Sequence, residues 1–577
     1  MSATEPRPLQ RVCSLEELRR DGVRVVSGGG RAIAVFLEGG KVFALDNRCP
    51  HMGFPLHRGT VRDGILTCHW HHAKFDLASG CTFDLFADDA TPFAVEVREG
   101  EVWLDSRPPD VDGRARWLGK LDDGLDHNVN LVLAKSAIAL HELGATNEAV
   151  RRAVLFGLRN RAAGWSTGLS ILTAAAQVLP VLGAEDRSLA LFHGLRHVAA
   201  STAGQQPNLD VQPLRGSESN PERYVEWFRR FVEVRQAAAA ERTLVTAVTA
   251  GLSPRTVADM IFAACTDHLY LDVGHTLDFA NKAFELLDLI GWEHARDVLP
   301  SLIPVLVGSQ RMEESSSWRH PVDIVGLIQE ASKDLLELPG DGRRVEAWDG
   351  HERLAEVILD GDPAQALDDI VGLARAGVPL VELSASVAYA AVRRALHFSI
   401  ANEVSDWETV HHAFTYANAV DQAMRRAPSA LLARGILDGA MAVSLERFLN
   451  VPKRPVPTPS GAVPAPGEVL GRFDIHGQAD ETAQLVADML ATNGDEEVVR
   501  LLGHALLRED SGFHQFQIYE AGVRQWRRLR GRPAGDHVLL GVTRYLAAHF
   551  PTVRGRAQTY DVALRLHRGD ALHEDAE

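Results

Sequence analysis

Apolar and polar positions alternate with a period of two up to about residue 105, and with a period near three and a half beyond about residue 118. The first regime predicts short strands at Val23-Arg24-Val25-Val26, Ala32-Ile33-Ala34-Val35-Phe36-Leu37, Val42-Phe43-Ala44-Leu45, Phe93-Ala94-Val95-Glu96-Val97 and Val102-Trp103-Leu104. Gly28-Gly29-Gly30, Glu38-Gly39-Gly40 and Glu99-Gly100 supply turns between them. Residues 1–108 therefore predict a small all-β domain, and the paired prolines after Ser106 predict a linker over 109–118.

The second regime predicts amphipathic helices at 129–144, 147–163, 187–203, 221–250, 254–290, 381–402, 407–426 and 430–449. Residues 119–451 thus form a large all-α domain, the expected catalytic part. Residues 452–469 are Pro-rich and expected to run extended as a second linker. Residues 470–577 return to helix. The fold class expected is multidomain, all-β then all-α. There is an internal echo: His275-x-x-x-Phe279-Ala280-Asn281 and His412-x-x-x-Tyr416-Ala417-Asn418 both read H-x-x-x-[FY]-A-N, hinting at duplicated helices with equivalent histidines.

At 577 residues the chain exceeds one hydrophobic core. A formal net charge of −17 argues against nucleic acid or an anionic membrane as partner. No apolar h-region opens the chain, and the nearest apolar run, Ile171 to Ala184, is too short to span a bilayer and contains Gln177 and Pro180. Cys13, Cys81 and Cys265 form no disulfide framework, so a cytoplasmic location is expected, with Cys81 a packed thiol.

The candidate chemistry begins with Cys49-Pro50-His51 and Cys68-His69-Trp70-His71, which read C-x-H, sixteen residues, C-x-x-H. This is the ligand pattern of a Rieske [2Fe–2S] centre, with two cysteines on one iron and two histidines on the other. Imidazoles in place of thiolates remove negative charge, so the histidine-bound iron accepts the electron. Four such ligands would also suit zinc. The sixteen-residue gap and Phe75-Asp76-Leu77-Ala78-Ser79-Gly80 after the last ligand favour the cluster. About residues 10 to 105 closely resemble the Rieske ferredoxin family. That resemblance implies Cys49, His51, Cys68 and His71 as cluster ligands. In the high-potential branch each loop has an extra cysteine, and a Ser and a Tyr donate hydrogen bonds to the cluster sulfurs. Here Phe54 and Trp70, and Ala73 and Phe75, stand in those places. Fewer donors destabilise the reduced state, which implies a low-potential, ferredoxin- or oxygenase-type centre. His72 stands where the family often has Gly.

The helical remainder lacks a D/E-x-x-H segment with a second histidine about five residues on, the signature of the common ring-hydroxylating oxygenases. Histidines nevertheless recur at helical spacing: His193 with His197, His268 with His275, His127 with His141, and His397 with the pair His411-His412. Imidazoles inside a helical bundle can build an iron site, although any one pair is more often structural. HNVNLVLAKSAIALHELGA from His127, FHGLRHVAA from Phe192 and DHLYLDVGHTLDFANKAFELL from Asp267 resemble segments of the questin oxidase-like family. That resemblance implies oxidative ring opening of polyketide-derived aromatics and non-haem iron held by histidines and a modified lysine. The corresponding residues are His127, His193 or His197, His275 or His268, and Lys282 or Lys135. The second iron site is therefore expected among His127, His193, His197, His275 and His412. Asp510 and His514 are read as a surface salt-bridged turn.

Two functions follow. The first is an oxidoreductase in which the cluster feeds electrons to non-haem iron, for O2 chemistry on a small organic, aromatic-type substrate. No G-x-G-x-x-G follows a strand, so reduction falls to a separate flavin- and NAD(P)H-dependent reductase or ferredoxin reductase. The second is a non-catalytic Rieske ferredoxin or redox sensor with a helical docking scaffold.

Overall fold

A computed structural model describes residues 9–109, 112–215, 221–337, 348–570 and 572. The chain forms two compact units, residues 1–149 with 555–577, and residues 150–554. The expected boundaries at 108 and 452–469 fall within these units.

The first unit begins with ten strands: β1 (Leu9–Ser14), β2 (Val23–Gly28), β3 (Arg31–Glu38), β4 (Lys41–Asp46), β5 (Thr60–Arg62), β6 (Ile65–Thr67), β7 (Lys74–Asp76), β8 (Pro92–Phe93), β9 (Val95–Arg98) and β10 (Glu101–Asp105). They make three antiparallel sheets, β1-β10-β9, β2-β3-β4-β8 and β5-β6-β7. Central strand β3 reads as a continuous apolar run because both its faces are covered. Ala34 and Phe36 enter one core with Leu45, Cys49 and Cys68, while Ile33 and Val35 enter another with Leu18, Val102 and Leu104. The expected strand Phe93–Val97 divides at Ala94: Phe93 pairs with Ala44, and Val95 pairs with Leu104.

Helix α1 (Leu15–Asp21) is set by a capping box, in which Glu17 N–H donates to Ser14 Oγ at 3.1 Å and Ser14 N–H to Glu17 Oε2 at 2.8 Å. Helices α2 (Gly113–His127) and α3 (Asn130–Glu142) follow, and helix Gly555–Arg568 packs on α3. Much of the expected linker is thus helical. Asp112 caps α2 through the Arg114 and Ala115 amides. Asn128, with φ of 52°, ends α2, so His127 and His141 do not share one helix.

The second unit is helical. Its site is carried by α4 (Thr167–Val178), α5 (His275–Ile290), α6 (Val404–Arg426), α7 (Phe513–Leu529) and α8 (Pro533–His549). Helix α6 packs against α5, α7 and α8, and α7 also packs on α4. The expected helix 254–290 is broken between Cys265 and His275, where Tyr270, Asp272 and Val273 have φ of 44°, 50° and 49°, and Gly274 has 95°. A β-branched residue in the left-handed region costs on the order of 1–3 kcal/mol. The turn is held by Tyr270 N–H on Asp438 Oδ2 (3.3 Å) and Asp272 N–H on the Gln310 carbonyl (2.8 Å), and it sets His275 at the start of α5. The expected helix 221–250 likewise divides at Arg235, with φ of 56°. Among the described residues no helix is long and apolar enough to cross a membrane.

Candidate functional site

Two loops of the first unit bring Cys49, His51, Cys68 and His71 together. In the first, between β4 and β5, Cys49 N–H donates to the Phe54 carbonyl (2.8 Å) and Gly53 N–H to the Cys49 carbonyl (2.7 Å), with Gly53 at φ of 85°. In the second, between β6 and β7, Cys68 N–H donates to the Ala73 carbonyl at 2.8 Å. His72 adopts φ of 60°, the left-handed conformation that explains why glycine is common there. Gly80 in the following turn is fixed by space, since a Cβ would lie 1.9 Å from the Ala90 carbonyl oxygen.

Cys49 and Cys68 are buried and hydrogen-bonded to each other through their side chains. That bond pulls the Cys68 thiol down to about 6, and the same bond together with burial pushes the Cys49 thiol up. The His51 and His71 rings are 4.8 Å apart at 80°. His51 Nδ1 is buried without a hydrogen-bond partner, and burial, His71 and Lys135 push this imidazole down to about 4. Two adjacent sulfurs and two neighbouring imidazoles, one with a buried orphaned nitrogen, fit the S2/N2 donor set of a [2Fe–2S] cluster. All five cysteines are free thiols, and Cys81, expected to be packed, is exposed. Phe54 and Trp70, with rings 6.2 Å apart, occupy the places of the high-potential disulfide. Ala73 and Phe75 are fully buried and bring no hydroxyl to the site.

Lys135 on α3 is buried, and its Nζ donates to the Pro50 carbonyl within the Cys49 loop. Burial pushes its ammonium down to about 8. A cation there favours the more negative, reduced cluster, so Lys135→Met should move the reduction potential negative by on the order of tens of mV. A redox titration at pH 7 checks this, and an unmoved potential would refute it.

The second unit assembles a different constellation. Glu408, His411 and His412 lie one turn apart on α6, and His514 comes from the start of α7. One ligand atom from each lies within 4.8 Å of all the others. His412 Nε2 and His514 Nε2 are 3.2 Å apart, and His514 Nδ1 pairs with Glu408 Oε2. His411 is fully buried with neither ring nitrogen hydrogen-bonded. Each unpaired buried polar atom costs about 1–3 kcal/mol, which a bound cation would offset. From α8, His549 Nε2 lies 3.4 Å from Glu408 Oε1, and Tyr545 Oη donates to Glu408 Oε2 at 3.3 Å. Burial alone would raise the Glu408 carboxyl, but bonds from His514 and His549 hold it well below the usual range. The His275 ring lies 4.6 Å from that of His412 and 5.6 Å from that of His514.

The echoed motif thus brings His275 and His412 to one place. The other expected members are not brought there. His127 is exposed on the first unit, its Nδ1 3.0 Å from the Asp123 carbonyl. His193 Nε2 lies 3.0 Å from the Leu507 carbonyl and His197 Nε2 3.3 Å from the Ser511 carbonyl, so both secure the segment entering α7. His268 bridges Glu313 and Glu233. His397 binds the Arg454 carbonyl at 2.8 Å. His514, read as part of a surface turn, is a member of the cluster, while Asp510 accepts no role there and offers its N–H to Thr552. Glu408-Thr-Val-His411-His412 was the signal available: a carboxylate and two imidazoles at i, i+3 and i+4 share one helix face.

Burial pushes His275 down to about 3, His412 to about 4, and His411 well below its usual value, the neighbouring imidazoles adding to the effect. Below about pH 6.5 the unfolded chain protonates these groups, whereas the fold refuses the protons down to about pH 4. The unfolded state then holds more protons, so the metal-free fold must lose stability as pH falls from 6.5 towards 4. Thermal unfolding of metal-stripped protein should report a falling midpoint across that window, less steep in His411→Phe. A flat midpoint would contradict the burial of these imidazoles as neutral groups.

Residues 9–91 match the Rieske [2Fe-2S] domain family. Human apoptosis-inducing factor 3 is 30% identical over 94 residues, covering 16% of this chain and 16% of that protein. Ferredoxin CarAc of Metapseudomonas resinovorans is 30% identical over 101 residues, covering 16% of this chain and 90% of the ferredoxin. Among solved structures, the ferredoxin of carbazole 1,9a-dioxygenase from Nocardioides aromaticivorans IC177 is 22% identical, covering 17% of this chain and 98% of that one, with a TM-score of 0.17. The chain therefore spans about a sixth of apoptosis-inducing factor 3 and nearly all of each ferredoxin. The family match ends at residue 91, ahead of the helical body.

Proposed function

The chain belongs to the Rieske [2Fe–2S] family, and from that premise we propose that its electron serves a non-haem iron site formed by Glu408, His411, His412 and His514. Cys49, His51, Cys68 and His71 hold the low-potential cluster, a one-electron carrier. The observation that carries the second site is the convergence of three imidazoles and a carboxylate around His411, whose two ring nitrogens are buried and unpaired. Imidazole with carboxylate suits iron as well as zinc, and iron is the choice that can use the electron.

Iron bound there supplies reduction of O2 in the presence of an organic substrate. Glu408 neutralises metal charge while His549 and Tyr545 fix its orientation, and burial keeps the imidazoles neutral and able to bind. His275 faces the site beside His412 and His514. The external electron donor, a separate reductase or ferredoxin reductase, approaches the cluster where Phe86 packs on His51 and where Phe83 and Leu85 are exposed. The test is iron and acid-labile sulfide on anaerobically purified full-length protein. Iron in excess of sulfide is expected. Equal amounts would favour the alternative, a ferredoxin or redox sensor with a helical scaffold.

A further inference from the structure

We propose that a file of buried polar side chains on α5 and α7, centred on Asp278, carries protons from solvent to the Glu408–His411–His412–His514 site. This deepens the reading of that site as an oxygen-reducing iron centre and rests on it.

The two helices present matching ladders. Helix α5 offers His275, Asp278, Lys282 and Glu285, and α7 offers His514, Gln517, Glu520 and Arg524, each series running along one helix face. The rungs meet in order. The His275 and His514 rings stack at 5.6 Å and 7°. Gln517 Nε2 donates to Asp278 Oδ2. Lys282 Nζ donates to Glu285 at 2.8 Å and to Glu520. Arg524 pairs with Glu520 and, at 3.1 Å, with Glu285. Asp278, Lys282, Glu285, Gln517 and Glu520 are each no more than 3% exposed. The outer end opens into a cavity of about 280 Å³ lined by Asn281, Glu285, Gln422, Arg426 and Arg524.

Packing alone does not account for this file. Buried ion pairs seldom stabilise a fold more than apolar side chains of the same volume. Lys282 and Arg524 balance Glu285 and Glu520, which leaves Asp278 as an uncompensated carboxyl one turn from His275. Helix α4, packed against both, has no charged residue. Gln517 Oε1 and Asn281 Oδ1 are buried acceptors with no hydrogen-bond partner among the described residues, positions suited to water. Burial raises the Asp278 carboxyl to about 7, with Glu285 and Glu520 adding to it and Lys282 and Gln517 opposing. Such a group can both give and regain a proton near neutrality.

The chemistry requires this traffic. Conversion of RH, O2, two electrons and two protons to ROH and water draws its electrons from the external donor through the cluster, and its protons must enter a buried site. Asp278 gives its proton inward and becomes a carboxylate. Water held at the Gln517 and Asn281 acceptors restores that proton from solvent in the cavity, while the Lys282 ammonium, held charged by Glu285 and Glu520, keeps its own. The net change is one proton moved from the cavity to the site.

The test uses full-length protein carrying its cluster and loaded with ferrous iron, with O2 as the probe. In Asp278→Asn, iron content and the ferrous–nitrosyl EPR signal should equal wild type. O2 consumption should fall by about 10²-fold. Formic acid should restore part of the rate, and Asp278→Glu should retain most of it. The infrared carboxyl absorbance that titrates near pH 7, to which Asp438 and Glu446 also contribute, should lose one component in Asp278→Asn. An unchanged rate at full iron content, or a slowed rate that neither formic acid nor Asp278→Glu recovers, would overturn the relay and leave the iron site standing. Should Asp278→Asn lose iron, Gln517→Met decides: slowed O2 consumption with iron retained supports the file, and wild-type speed removes it. Wild-type protein without iron beyond the cluster would remove the site and this inference together.

Discussion

Protein carrying Cys68→Ala loses its acid-labile sulfide and its cluster absorbance but keeps about one iron per chain. Cys68 is 1% exposed and its thiol hydrogen-bonds that of Cys49, so no neighbouring group can replace its thiolate from solvent. A cluster iron with one protein thiolate in place of two is under-coordinated, and the expected loss of bound sulfide is complete rather than partial. Glu408, His411, His412 and His514 all lie in the other compact unit, whose core contains none of the cluster loops. Their iron should survive. Electron transfer from the external donor falls to background, while ferrous protein prepared chemically still binds nitric oxide at the helical site. Colorimetric sulfide, total iron and EPR on the same sample report all three. Sulfide retained at wild-type level would refute Cys68 as a ligand. Iron lost together with sulfide would mean that the cluster held all of it, and the carrier or sensor reading would take over.

What could be read from the sequence divides along physical lines. Strands β3, β4 and β10 were legible because their apolar runs are buried, and β2 because its apolar residues lie close together in sequence, whereas the three-residue strands β5, β6 and β7 offer no period to read. Cys49, His51, Cys68 and His71 were legible as one group because all four come from two local loops, which the fold brings together. The Glu408–His411–His412–His514 constellation was half legible. The echoed motif singled out His275 and His412, since equivalent helices place equivalent residues at one spot. His514 was not legible: it lies 102 residues from His412, and its local surroundings, Arg508-Glu509-Asp510, read as a charged turn. His193 and His197 share the i, i+4 spacing of a ligand pair, and that spacing serves equally well to reach backbone carbonyls, as theirs do at Leu507 and Ser511. The breaks at Arg235 and at Tyr270–Gly274 were hidden because positive φ falls on Arg235, Tyr270 and Val273, residues with little propensity for it, the second turn being held by distant partners, Asp438 and Gln310. Pro-rich residues 452–469 look like a linker, yet Ser460 N–H and Oγ both bond Asp488, tying the segment down.

The complementary change is His514→Ala, which should remove the iron in excess of sulfide and leave the cluster intact. Loss of a partner that merely orients a metal ligand costs about 10–100-fold in affinity or activity. His549→Ala, which withdraws a partner from Glu408, belongs in that range. His514 does more, since its Nε2 lies 3.2 Å from that of His412 and its Nδ1 pairs with Glu408. Its removal should therefore cost beyond about 10²-fold in iron affinity and in O2 consumption. The same holds for His412→Ala. His193→Ala is the control for disrupted packing: it breaks the bond to the Leu507 carbonyl, should lower the unfolding midpoint, and should leave bound iron at saturating metal unchanged. If His412→Ala and His514→Ala keep the wild-type ratio of iron to sulfide, the four side chains are a neutral polar core rather than a metal centre. If both bring the ratio to one while the cluster still accepts its electron, the two compact units divide the work, one carrying the electron and the other spending it on oxygen.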